Sequence, residues 1–172
     1  MIMFYGGRLL SHLSAHDEEI EDFINLRVLN RNLAIVIDSD RKRAGGSINA
    51  TRLQIRDAFD DDTGVAWVTN GWEIENYVRP DDLQEAVKAV YGARYGSPAN
   101  SGDRFDHALQ FIPAPGKPRQ RRKAVDEAHE IKVDKVKVAK AVCERPANLD
   151  HLDLRQRIQR LVAMLRKANH LP

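Results

Sequence analysis

The chain has 172 residues, of which 42% are hydrophobic, enough for one domain of ordinary size, or one domain with a small appendage, around a real core. Its 27 basic and 25 acidic residues leave a formal net charge of +2, which excludes the overall basicity of histone-like or ribosomal proteins, so any nucleic-acid surface must be local. No apolar run approaches the roughly 18–20 residues that span a bilayer, and Met1-Ile2-Met3-Phe4-Tyr5 lacks the basic flank and cleavage site of a leader. A soluble, cytoplasmic protein with no membrane partner is expected. The single cysteine, Cys143, excludes an internal disulfide framework and a Cys-based zinc finger. It lies on a helical pattern and reads as a buried small apolar residue.

Short β-rich apolar runs alternate with stretches of helical spacing through the first half, the pattern of an α/β domain with a mostly parallel sheet. The runs are Ile2 to Tyr5, Leu33 to Ile37 and Val65 to Thr69. Leu33-Ala34-Ile35-Val36-Ile37 is apolar without alternation, which predicts a central strand covered on both faces. Asp17-Glu18-Glu19 load a helix N-terminus with negative charge ahead of Ile20, Phe23 and Ile24. Asn49 can cap the next helix, with Ala50, Leu53 and Phe59 on its apolar side. Pro80 opens a helix in which Leu83, Ala86, Val87, Val90 and Tyr91 recur at helical intervals. Residues 92–118 are rich in glycine and proline and read as an extended surface connection. The run Lys117 to Lys123 has five basic residues in seven. Beyond it, Ala124 to Glu144 and Leu152 to Ala168 read as helices, the second with Leu154, Ile158, Leu161 and Leu165 on one face. The expected organisation is a first domain over 1–91, a basic connection over 92–122 and a helical portion over 123–172.

The chemically distinctive segment is Ile37-Asp38-Ser39-Asp40-Arg41, two aspartates directly after a strand. Ligand sites of parallel α/β sheets lie beyond the carboxyl ends of the strands. If the strand persists, Asp38 and Asp40 point the same way and offer the hard oxygen ligands that Mg²⁺ or Mn²⁺ prefers. An isolated Asp-x-Asp also starts turns and caps helices. A second acidic pair, Glu73 and Glu75, follows the strand Val65 to Thr69. Four carboxylates at neighbouring strand ends repel one another unless a cation lies between them; Arg41, Lys42 and Arg43 are the alternative source of positive charge. Trp67 is expected in the strand core, and the six histidines form no metal-spaced pair.

Taken in order, Phe4-Tyr5-Gly6-Gly7-Arg8-Leu9-Leu10, Ile37-Asp38-Ser39-Asp40-Arg41, Ile48-Asn49-Ala50-Thr51, Trp67-Val68-Thr69 and Glu73-Ile74-Glu75-Asn76-Tyr77 resemble the Toprim nuclease domain of OLD-family ATP-dependent endonucleases. The likeness runs over residues 1 to about 90 and continues in the helices near Lys135 and Leu161 to Asn169. It implies a Toprim-like α/β fold, mostly parallel and flanked by helices, with a helical C-terminal portion. It also implies a pair of Mg²⁺ or Mn²⁺ ions and hydrolysis of DNA phosphodiester bonds, in defence against phage or plasmid DNA. By the same resemblance Asp38, Asp40, Glu75 and Glu73 are the metal ligands, and a lysine stabilises charge at the phosphate, with Lys135 as the candidate and Lys132 and Lys137 as rivals. Two cations about 3.5–4 Å apart would generate hydroxide and stabilise the leaving oxygen.

The sequence departs from the family in its N-terminal part and at Trp72. It starts at what should be the second Toprim strand, so the family's first glutamate has no counterpart ahead of Gly6. The ATPase is also missing: no phosphate loop occurs, because Gly45-Gly46-Ser47 lacks the lysine, and no ATP site is expected. The chain therefore reads as the C-terminal part of an ATPase-nuclease, or as a non-catalytic subunit that needs a partner supplying the ATPase and first strand, and self-association through the open strand is expected. Trp72 stands where the family commonly has a basic residue. DNA contacts are expected from Arg8 beside the Gly6-Gly7 turn, from Arg41, and from Arg119, Arg121, Arg122 and Lys123. The arginines of the last helix, Arg155, Arg157, Arg160 and Arg166, with Lys167, are further candidates.

Overall fold

A computed structural model describes residues 24–25, 31–115 and 133–172. The expected strand Ile2 to Tyr5, Arg8, the basic run Lys117 to Lys123 and Lys132 lie outside the described residues.

Strand β1 (Ala34–Ile37) lies parallel to β2 (Val65–Val68), with Val36 opposite Trp67 and Ile37 opposite Val68. The ladder runs one bond further at each end, from Val65 N to Leu33 O and from Thr69 N to Ile37 O, both 3.0 Å. Between the strands, α1 (Ala50–Phe59) starts where the Asn49 side chain accepts from Thr51 N at 2.8 Å, as its sequence position predicts. The buried stripe of α1 is Thr51, Arg52, Ile55 and Phe59. Phe59 is buried as expected, whereas Leu53 is half-buried and Ala50 exposed, because Ile55 takes the centre of the inward face. Ile55 and Phe59 pack on Ile37 and Ala66, with Ile24, Leu33 and Ile35 at the margin.

Only one face of β1 is covered among the described residues. Val36 is 50% exposed and Ala34 is also exposed, and β1 has no described neighbour besides β2, so among the described residues the expected cover on both faces is not seen. The corresponding face of β2 is buried: Trp67 lies under Tyr77, ring centroids 5.1 Å apart and nearly perpendicular, and the helix α4 (Leu154–Ala168) packs against the strand. Trp67 is thus a core residue, as expected.

The helix α2 (Pro80–Tyr91) has Pro80 at its first position, Asp81 and Asp82 in its first turn, and Gly92 at φ +51° as its terminus. These satisfy the start and stop preferences of helices. The following segment is not the plain extended connection expected from its glycines and prolines. It folds back as β3 (Tyr95–Pro98) paired antiparallel with β4 (Phe111–Pro113), and Gly96 sits at the irregularity, where a Cβ would stand 2.7 Å from Ile112 O. Leu109 and Phe111 are buried with Leu83, Ala86 and Val87 of α2 and Val138 of α3 (Lys135–Cys143). The described architecture is mixed α/β, with one parallel and one antiparallel pair of strands. No helix among the described residues is long and apolar enough to cross a membrane.

Two readings of the C-terminal helices need correction. Cys143 is exposed, because Val138 is the residue of α3 that faces α2. In α4, Leu154, Ile158 and Leu161 are half-buried on the expected face, but Met164 is buried in place of Leu165, which is 49% exposed.

Candidate functional site

The carboxyl ends of β1 and β2 bring three of the four expected acids together. The chain leaves β1 at Asp38, whose Oδ1 accepts from Ile74 N at 2.8 Å. This bond draws the start of the 3-10 turn Ile74–Tyr77 onto the end of β1. Glu73, only 7% exposed, accepts from Ala108 N at 3.2 Å, and His107 Nδ1 lies 3.5 Å from the same oxygen. Lys135, the first residue of α3, places its ammonium 3.2 Å from Glu73 Oε2 and 2.7 Å from Glu75 Oε1.

The repulsion among acids that the sequence implies is therefore relieved in part by a side-chain cation. That cation is Lys135, and neither Arg41, Lys42 nor Arg43 pairs with a carboxylate among the described residues. Burial disfavours the charge on Lys135, but its bonds to Glu75 and Glu73 outweigh that and its pKa is raised. Asp38 gains less. Burial above all, then Glu75 and Glu73, push its carboxyl up to about 6 against the opposing bond from Ile74 and the charge of Lys135. Of the rival lysines, Lys137 is turned to Asp134 at 3.3 Å.

Asp40 does not join this group. The strand ends at Ile37 and Asp40 takes φ +51°, so the alternation that would aim Asp38 and Asp40 alike is broken. Asp40 N donates to Trp72 O at 3.0 Å, and its carboxylate accepts from the guanidinium of Arg52, which is itself 8% exposed. The pairing balances the buried Arg52 charge. Ser39, 2% exposed, donates through its hydroxyl to Gly71 O, and its N–H donates to Thr69 Oγ1 at 2.8 Å. It ties two loops together and is not presented to a ligand.

Tyr77 ends the 3-10 turn that carries Glu75. Its hydroxyl accepts from Trp67 Nε1 and from Asn70 N, both at 3.0 Å, and donates to Asp153 Oδ1 at 2.7 Å. Burial and the bond to Asp153 raise its pKa. Asp153 in turn accepts from Arg157 Nε at 2.7 Å.

Most of the basic candidates on α4 have other partners. Arg155 pairs with Asp150, Arg157 with Asp153 and Arg160 with Asp60, while Lys167 Nζ donates to Asp62 O at 2.9 Å. These bonds fasten α4 and its approach to neighbouring loops. Arg41 donates to Thr69 O at 3.5 Å and lies 5.8 Å from the Phe105 ring. The loop 100–108 gave no sequence signal, yet it lies beside the acids through Ala108, His107 and the bond from Trp72 N to Arg104 O at 2.8 Å.

Glu75 Oε2 is buried with no hydrogen-bond partner, and Asp38 stands beside it with its pKa raised. Mg²⁺ or Mn²⁺ is commonly held by one or two carboxylates with water and phosphate supplying the other ligands, and Asp38 and Glu75 are the residues here that would offer them. Among the described residues no three His, Cys, Asp or Glu side chains form a group able to enclose a metal ion. The expected set with Asp40 is not assembled. No family model, curated protein or solved structure matches the chain.

Proposed function

We propose that the chain carries part of a divalent-metal-dependent DNA endonuclease centre of the Toprim kind that its sequence resembles. The observation that carries this reading is the convergence of Asp38, Glu73, Glu75 and Lys135 at the carboxyl ends of two parallel strands. Asp38 and Glu75 would hold the ion, which when bound supplies Lewis-acid polarisation of a phosphate and an activated water. Glu73 keeps Lys135 oriented, and Lys135 offers positive charge where a phosphate would accumulate negative charge. Supercoiled plasmid incubated with Mn²⁺ is the test, alongside calorimetric Mn²⁺ titration. Slow nicking is expected, lost in Asp38→Asn and in Glu75→Gln, with Mn²⁺ affinity reduced about tenfold or more in each. Unchanged affinity in both variants removes the metal site.

A second reading is a non-catalytic subunit that binds metal or DNA and works with an ATPase region or partner chain. It is favoured by the way Lys135 and Arg52 already satisfy Glu73 and Asp40. Mn²⁺ binding without any nicking selects it.

A further inference from the structure

Beside the acids, the loops that follow β1 and β2 and the loop 100–108 place rings and cations together. Lys42 Nζ lies 5.4 Å from the Trp72 ring centroid, and the His107 ring lies against Trp72 at 4.1 Å with a tilt of 34°. The Phe105 ring has the Arg104 guanidinium at 4.8 Å and that of Arg41 at 5.8 Å. Backbone bonds from Asp40 N to Trp72 O and from Trp72 N to Arg104 O join the three loops into one surface. Arg52, Arg145, Arg157 and Arg160 each hold a carboxylate. Lys42, Arg41 and Arg104 hold none among the described residues.

We propose that this surface binds single-stranded DNA, with Trp72, His107 and Phe105 stacking on unpaired bases and Lys42, Arg41 and Arg104 holding the phosphates. A duplex hides its base faces, so rings add little to its binding, whereas an unpaired strand uses rings and cations together. The proposal rests on the nuclease reading of the adjacent acids for its meaning, since the patch continues directly into Glu73 and would deliver a strand to Asp38 and Glu75.

The test uses the full chain in EDTA, so that it does not depend on metal, with fluorescein-labelled oligothymidylate, oligouridylate and a duplex of equal length. Oligothymidylate is expected to bind more tightly than the duplex. Trp72→Leu and Phe105→Leu should each weaken it by about tenfold, and Trp72→Phe should restore most of the loss. Lys42→Gln should lower the slope of log K against log salt by about 0.7, the value for one single-strand phosphate contact. In the wild-type chain the oligonucleotide should also shield tryptophan fluorescence from iodide, a readout that needs no variant. Equal affinity for duplex and oligothymidylate, unchanged affinity in both leucine variants, or no shielding overturns the proposal. Tighter binding of oligouridylate overturns the assignment to DNA. Because this titration is run in EDTA and the metal site is tested by Mn²⁺ affinity without DNA, failure of the metal reading and failure of this surface are separate outcomes.

Discussion

Lys135 donates to Glu73 at 3.2 Å across 62 positions of sequence, so that the first turn of α3 closes the acidic end of the parallel strands. The carboxylate is buried and the lysine side chain is 59% exposed, which makes the pair asymmetric: removing the cation strands a buried anion, whereas removing Glu73 leaves a half-exposed lysine still paired with Glu75 at 2.7 Å.

Lys135→Met should accordingly destabilise the chain by about 1–3 kcal/mol, the cost of an unpaired buried charged group. Glu73→Gln should recover part of that loss in the double variant, because a neutral amide no longer needs the ammonium. Urea denaturation of the four chains measures the coupling. Strictly additive effects would place Lys135 outside the Glu73 site.

Asp38 carries a pH signature of definite sign. Its carboxyl is pushed from 3.8 to about 6, so the folded chain holds this proton more tightly than the unfolded chain. The resulting stabilisation is full below about pH 3.8 and is lost as pH rises through about 6. Allowing for solvent screening, the contribution is on the order of 1 kcal/mol. About half of that is lost between about pH 5 and pH 7.5, so in EDTA Asp38→Asn should gain about 1–2 °C in Tm over the wild type across that range. A Tm difference that does not change with pH contradicts the raised carboxyl.

Tyr77→Phe removes one hydroxyl that serves Trp67, Asn70 and Asp153 together. Two buried or half-buried donors and one acceptor lose their partner, and a loss of about 2–3 kcal/mol is expected in denaturant titration. A cost below about 0.5 kcal/mol, usual for an exposed surface change, would show that water replaces the hydroxyl.

Gly71 is required by close approach. An added Cβ would stand 2.6 Å from Arg104 O and 2.8 Å from the Asn76 Cβ, and neither is the end of a flexible chain. Gly71→Ala should cost about 1–3 kcal/mol and displace Trp72. A blue or red shift of tryptophan emission with lowered Tm is the expected result, and wild-type behaviour in both would deny the contact.

The sequence by itself determined the elements whose signal is local. Asn49 and Pro80 announce their helices because capping and a fixed φ act within one turn, and the apolar runs at residues 33–37 and 65–69 announce their strands. It also determined that acids cluster after those strands. Tertiary structure alone decided which acids meet. Asp40 leaves the group because a single positive φ turns it to Arg52, and no spacing argument detects one backbone angle. The cation among the acids comes from α3 rather than from the adjacent Arg41-Lys42-Arg43, since pairing follows distance in space. Leu109 and Phe111 joined the core from a segment of loop-like composition, because burial of two apolar side chains against α2 outweighs the turn preference of the glycines and prolines around them.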